Sequence, residues 1–150
     1  MITIGKAEPA DVPSIVDFQL LMAAETENLT LDRKVVDKGV STIFSDPGKG
    51  FYLVAREGNK VIASLMITFE WSDWRAKTVW WIQSLYVIPE KRRQGVFRRM
   101  FDWLAERMGQ DDSIGGIRLY VDKTNLAAQK VYEELGMNGE HYHFYEIMKP

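Results

Sequence analysis

Residues 92 to 98 read Arg-Arg-Gln-Gly-Val-Phe-Arg, and side chains of these types at this spacing suit the binding of an anion. Upstream, Val79 to Val87 is almost continuously apolar and rich in β-branched and aromatic residues, as expected of a strand buried on both faces. Pro89 ends that strand because it has no N–H to offer a ladder. Downstream, Val96, Met100, Trp103, Leu104 and Met108 recur at three- and four-residue spacing, so a helix opens at Gly95. The first turn of a helix presents N–H groups without internal partners, together with the positive end of its dipole. Gly95 admits a bulky ligand close to the backbone, while Arg92, Arg93, Arg98 and Arg99 surround it with positive charge. A phosphate or pyrophosphate is the expected occupant.

A second patterned element follows an apolar strand at Ile117 to Val121. In the stretch Asn125 to Gly136, Thr124 or Asn125 can cap a helix whose buried stripe is Ala128, Val131, Tyr132 and Leu135, and Gly136 is a normal terminator. Taken alone, Tyr132 reads as a core aromatic.

The two elements together carry a family resemblance. Arg92-Arg-Gln-Gly-Val-Phe97 resembles the Arg/Gln-x-x-Gly-x-Gly/Ala signature of the GNAT superfamily, the acyl-CoA-dependent N-acyltransferases, in which the turn holds the coenzyme A pyrophosphate. Phe97 stands where that signature has Gly or Ala, so its benzyl group must point away from the ligand. The helix from Asn125 to Gly136 is similar to the second GNAT signature, Asn-x-x-Ala-x-x-x-Tyr closed by Gly. The resemblance implies acetyl-CoA as co-substrate, with Arg92, Arg93, Gln94, Gly95, Val96, Phe97, Arg98 and Asn125 on the coenzyme. It also implies that Leu85, Tyr86 and Val87, on a strand splayed from its neighbour, line the thioester, where a backbone N–H polarises the carbonyl. Tyr132, by its match to the second signature, contacts the coenzyme and protonates the departing thiolate. A phenol with a reference pKa of about 10 is a competent donor to a similarly basic thiolate.

The acceptor side rests on carboxylates and tryptophans. Glu70 ends the strand expected to pair with Val79 to Val87, and as general base it would accept the amine proton directly or through water. The resemblance implies that Glu25 and Glu27 wall the acceptor site; their alternative is ordinary solvated helix charge. Trp71 and Trp74, in a short polar connector with Asp73, expose costly apolar surface unless they cover something. With the neighbouring carboxylates they would enclose a cationic amine, or else form a dimer surface or a lid over the sheet.

Composition limits the remaining possibilities. The 150 residues are 46% hydrophobic and 27% charged, as in one globular domain over 1–150, and the net charge of −2 supplies no field for nucleic acid. No apolar run approaches the roughly 20 residues that span a bilayer, and the amino terminus lacks a signal-peptide core, so no membrane partner and cytoplasmic residence are expected. Without cysteine an acetyl-cysteine intermediate is impossible, so direct transfer to a primary amine in a ternary complex is expected. His141 and His143 alone give poor support for a metal, and none is expected. The acceptor is then a small-molecule or peptide amine, and the aromatic surface allows a homodimer. A non-catalytic acyl-CoA-binding regulatory module is the competing reading.

The elements that must position these groups follow from periodicity. Ile2 to Gly5 reads as a short strand, Pro9 and Asp11 open a helix, and a second helix runs from about Arg33 to Phe44. Phe51 to Ala55 and Val61 to Glu70 form a hairpin, followed by the tryptophan-rich strand, the Gly95 helix, the Ile117 strand, the Asn125 helix and a last strand from His141 to Met148. This order, β-α-α-β-β-β-α-β-α-β, resembles the GNAT fold. The expected class is α/β (α+β): a mixed, mostly antiparallel sheet of about six strands with about four helices and a splayed strand pair.

Overall fold

The computed structural model describes residues 1–150, which fall into two compact units, Met1–Arg118 and Leu119–Pro150. The first contains a five-stranded sheet in sequence order: β1 (Ile2–Lys6), β2 (Gly50–Glu57), β3 (Lys60–Ser72), β4 (Lys77–Val87) and β5 (Ile114–Arg118). Neighbours from β1 to β4 are antiparallel, whereas β5 joins β4 in parallel. Helices α1 (Val12–Glu27), α2 (Arg33–Ser45) and α3 (Val96–Gln110) complete this unit, and α4 (Leu126–Glu134) belongs to the second. The α+β class and the mostly antiparallel mixed sheet agree with the sequence reading.

The core follows from β3, whose Val61, Ile62, Ala63, Leu65 and Ile67 are buried and leave both faces apolar. Register places Tyr52 and Tyr86 on one face. There Tyr86 meets Phe18 of α1 at 5.1 Å between ring centroids, and Tyr52 meets Phe44 of α2 at 6.0 Å. On the other face Phe51 packs against Trp80 at 5.3 Å. The α3 helix buries Val96, Met100 and Leu104, and packs against β1, β2 and β5. Gly50 permits the closest approach in the sheet: at φ +151° its missing Cβ would lie 2.0 Å from the Ile67 carbonyl oxygen. The amino-terminal end of α1 is pinned by Asp11, only 6% exposed, which accepts hydrogen bonds from Arg56 Nη1 at 2.7 Å and from the Glu8 N–H at 2.7 Å.

Three expectations need correction. First, β5 spans Ile114–Arg118 rather than 117–121, because its ladder begins at Ile114, skips Gly115 at a register shift and resumes at Gly116, glycines being residues that strand patterns normally lack. Second, the sheet has five strands rather than about six, and His141 to Met148 is not a strand. Its alternation of aromatic and polar residues supplies propensity, but a strand exists only through its ladder, and Tyr145 and Ile147 are 88% and 97% exposed. Third, the α4 stripe is not buried: Ala128, Tyr132 and Leu135 are partly covered and Val131 is exposed, since so short a unit encloses no core of its own. No helix is long and apolar enough to cross a membrane.

Candidate active site

The turn read from the sequence as an anion site joins β4 to α3. β4 ends at Val87, the chain passes a single 3₁₀ turn at Pro89–Lys91, and Arg93 and Gly95 both adopt left-handed backbone, at φ +63° and +77°. Gln94 Nε2 donates to the Glu90 carbonyl at 2.8 Å and braces the turn. The Arg99 N–H donates to the Gly95 carbonyl at 3.1 Å, so the N–H groups of the preceding first turn are presented at the mouth of α3. A Cβ at Gly95 would meet no atom within 4 Å, so it is the backbone conformation that requires glycine there. Phe97 lies 6.3 Å from Phe101 one helical turn along, and its ring runs along α3.

The four arginines divide by role. Arg93 and Arg98 are exposed and form no ion pair. Arg99 instead donates to the Ile2 carbonyl at 2.6 Å, tying α3 to β1. Arg92 donates through Nε to the Val87 carbonyl at 2.8 Å and through Nη2 to Glu25 Oε2 at 2.9 Å, and its guanidinium lies 5.2 Å from the Tyr86 ring centroid.

The register leaves the last part of β4 paired on one side only. The β4–β5 ladder stops at Trp81 and Arg118, so residues 82–87 pair with β3 alone. The β3–β4 register also slips: Ser64 faces Tyr86 while Met66 faces Gln83, and Ser84 takes a left-handed φ of +54°. That bulge turns backbone polar groups out of the ladder beside Leu85, Tyr86 and Val87. The Ser64 hydroxyl opposite is fully buried and has no hydrogen-bond partner.

Glu70 lies inside β3 rather than at its end, because the ladder with β4 runs on through Trp71 and Ser72, and it sits in company the sequence did not show. Trp81 Nε1 donates to its Oε1 at 2.7 Å, and Arg118 Nη1 donates at 2.8 Å and 3.1 Å to its two oxygens. The Trp81 hydrogen bond, followed by the Arg118 hydrogen bond and charge, lowers the Glu70 carboxyl below its usual range against the opposing effect of burial. Its affinity for a proton is correspondingly reduced. A charged residue within the apolar strand read at Ile117 to Val121, as Arg118 is, was the available sign that a partner lay across the sheet.

Glu25 and Glu27 sit in the last turn of α1, which Asn28 closes at φ +52°. Glu25 Oε1 accepts from the Tyr86 hydroxyl at 3.2 Å, completing a Tyr86–Glu25–Arg92 cluster. Burial first, then the hydrogen bond to Glu25, raises the Tyr86 pKa. Glu27 instead lines a separate hollow of about 270 Å³ with Met22, Leu29 and Leu31, where Gln19 Nε2 is buried without a hydrogen-bond partner. Trp71 and Trp74 are 65% and 92% exposed around the β3–β4 turn, so neither is a covered core residue. The cluster brings Glu25 to the end of β4 at Tyr86; Glu70 belongs to the Trp81–Arg118 group farther along β3 and β4.

In the second unit Asn125, not Thr124, caps α4, its side chain accepting from the Ala128 N–H at 3.1 Å. Gly136 follows the helix at φ +90°. Tyr132 borders a hollow of about 420 Å³ within this unit, with Gln129, Glu133 and Met137, and burial raises its phenol pKa. No cluster of three or more His, Asp or Glu side chains is placed to hold a metal.

Comparison with known proteins gives this geometry a family. A solved structure of a possible acetyltransferase from Clostridium difficile 630 is 41% identical and superposes with a TM-score of 0.92, covering 100% of this chain and 99% of that one. A predicted acetyltransferase from Clostridium acetobutylicum, solved with acetyl-CoA, shares the fold at a TM-score of 0.75 and 19% identity, covering 97% of this chain and 96% of that one. Among curated proteins, a thialysine N-epsilon-acetyltransferase of Bos taurus is 29% identical over 97 residues, 65% of this chain and 52% of its own length. The chain thus spans about half the length of that relative. A family model described as Acetyltransferase (GNAT) family matches residues 18–137, which include both signature elements. The chain belongs to the GNAT acetyltransferase family.

Proposed function

We propose that this protein moves an acetyl group from acetyl-CoA to a primary amine by direct attack within a ternary complex. The observation that carries the reading is the left-handed Arg93–Gly95 turn at the mouth of α3, following a β4 segment that extends beyond the end of the β5 ladder. In this reading, N–H groups of the turn with Arg92, Arg93 and Arg98 take the diphosphate. Backbone at Leu85, Tyr86 and Val87 binds the thioester arm and polarises its carbonyl. The amine nitrogen forms the new C–N bond as the C–S bond breaks. Tyr132 gives its proton to the leaving thiolate, and its raised pKa keeps it protonated at neutral pH. The amine's proton passes to Glu70, directly or through water, and the hydrogen bonds from Trp81 and Arg118 lower the strength of that carboxylate as a base. The absence of cysteine leaves no thiol for an acetyl-cysteine intermediate.

Glu25, Glu27, Trp71 and Trp74 belong to the acceptor side in this proposal, with a small-molecule or peptide amine as partner and the cytoplasm as setting. The name of the Bos taurus relative supports an aliphatic primary amine. We also propose a homodimer, supported by the exposed Phe69, Trp71 and Trp74 of the first unit and Tyr142, Phe144 and Ile147 of the second. Sedimentation giving only the monomer mass would remove it.

The deciding experiment follows free-thiol release from acetyl-CoA with a panel of primary amines: lysine analogues, polyamines, amino acids, aminoglycosides and short peptides. Amine-dependent thiol release with matching acetylated product is expected. Tight acetyl-CoA binding without turnover on any amine would favour the non-catalytic module.

A further inference from the structure

We infer that Arg92 is exchanged between Glu25 and the coenzyme diphosphate, so that coenzyme binding unmasks Glu25 for the acceptor amine; this rests on the acetyl-CoA reading above. Glu25 lies in the last turn of α1, where the negative end of the helix dipole and the nearby Glu27 already favour a cation. In the structure Arg92 occupies that role, with Nη2 2.9 Å from Glu25 Oε2, and neutralises the carboxylate. Yet Arg92 is rooted in the anion turn, through its Nε bond to the Val87 carbonyl at 2.8 Å. One guanidinium therefore serves two anionic groups.

Magnitudes favour the exchange. The Glu25 and Arg92 side chains are 39% and 42% exposed, and pairs this open to water are weak. A diphosphate offers more charge and bidentate acceptor geometry. Once Arg92 turns to it, Glu25 keeps its orientation through the Tyr86 hydroxyl at 3.2 Å, with its charge free for an ammonium group. Coupling of this kind is reciprocal: what Glu25 holds back from the coenzyme it returns to the amine.

The sign of one measurement tests the inference. If Glu25 competes for Arg92, Glu25→Gln should tighten coenzyme A binding in titration calorimetry by about 2- to 5-fold, or roughly 0.4–1 kcal/mol. If Glu25 merely props the turn in a binding-ready shape, the same variant should bind coenzyme A more weakly. The effect should vanish in an Arg92→Gln background, where nothing remains to exchange. A folded Glu25→Gln protein, checked by thermal melting, with unchanged or weaker coenzyme A affinity overturns the inference. Glu25→Ala serves as a second variant with the same expected sign. Absence of coenzyme A binding by the wild type would instead remove the acetyl-CoA reading itself.

Discussion

At its amino-terminal end α1 is fastened by Asp11, which is buried and paired with Arg56 on β2. At its carboxy-terminal end the helix is fastened by Glu25, which is solvated and paired with Arg92 of the anion turn. The chemistry is the same at both ends, an arginine on a carboxylate. Burial is the difference. Side-chain exposures are 26% and 7% for Arg56 and Asp11, against 42% and 39% for Arg92 and Glu25. A pair removed from water cannot lose one member without leaving an uncompensated charge, whereas a pair in water separates cheaply. One end of the helix is thereby held by a buried pair and the other by a pair that water can replace. Glu70 and Arg118 stand between these cases, at 39% and 31% exposure but with Trp81 as an additional donor.

The largest expected effect is at the anchor. Asp11→Asn should lower unfolding stability by about 3 kcal/mol in denaturant titration, because Arg56 loses its counter-charge in a largely buried setting. Its pH dependence sharpens the point. The Asp11 carboxyl is held below its ordinary 3.8, chiefly by the Arg56 hydrogen bond, so its contribution is complete above that value and is lost as pH falls through the lower folded-state pKa. The gap between wild type and Asp11→Asn should be constant from pH 5 to 7 and close only below about 3.8. A gap that closed near neutrality would mean the pair is not the anchor described.

Next in size is the intermediate pair. If Glu70 receives the amine proton, Glu70→Gln should lower kcat by about 100-fold, equivalent to about 2.7 kcal/mol, with little change in coenzyme affinity. Because Trp81 and Arg118 depress its pKa, the acidic limb due to Glu70 should lie below the ordinary 4.5. A limb at neutral pH would then belong to the amine. Matching kcat/KM profiles for the two proteins would remove Glu70 from the mechanism and leave Glu25, Glu27 or water as acceptor of the proton.

The Gly95 turn comes third. Gly95→Val should weaken coenzyme A binding by about 10-fold, or 1.4 kcal/mol, since a β-branched residue resists φ +77° and would distort the N–H groups of the turn. Unchanged affinity in a folded variant would place the coenzyme elsewhere. The smallest effect is Glu25→Gln on stability, expected within about 0.5 kcal/mol by thermal unfolding. A loss approaching that of Asp11→Asn would erase the contrast between the two ends of α1.

The sequence by itself determined most of the local elements and the glycine turn that opens α3. Apolar periodicity placed α3, a glycine among arginines marked the turn at its mouth, and the Asn125-to-Gly136 pattern placed α4, leaving its cap between Thr124 and Asn125, because each depends on neighbours within a few residues. Only the tertiary structure decided which charges meet. Arg118 lies 48 positions from Glu70, and Arg92 lies 67 from Glu25, separations over which local pattern carries no information about pairing. Tertiary structure likewise decided that β5 starts at Ile114, through glycines that show no alternation, and that residues 141–148 form no strand despite their alternation. The physical reason is common to these cases. Propensity and period are properties of a segment, whereas a ladder, an ion pair and the burial that sets its strength belong to two segments at once.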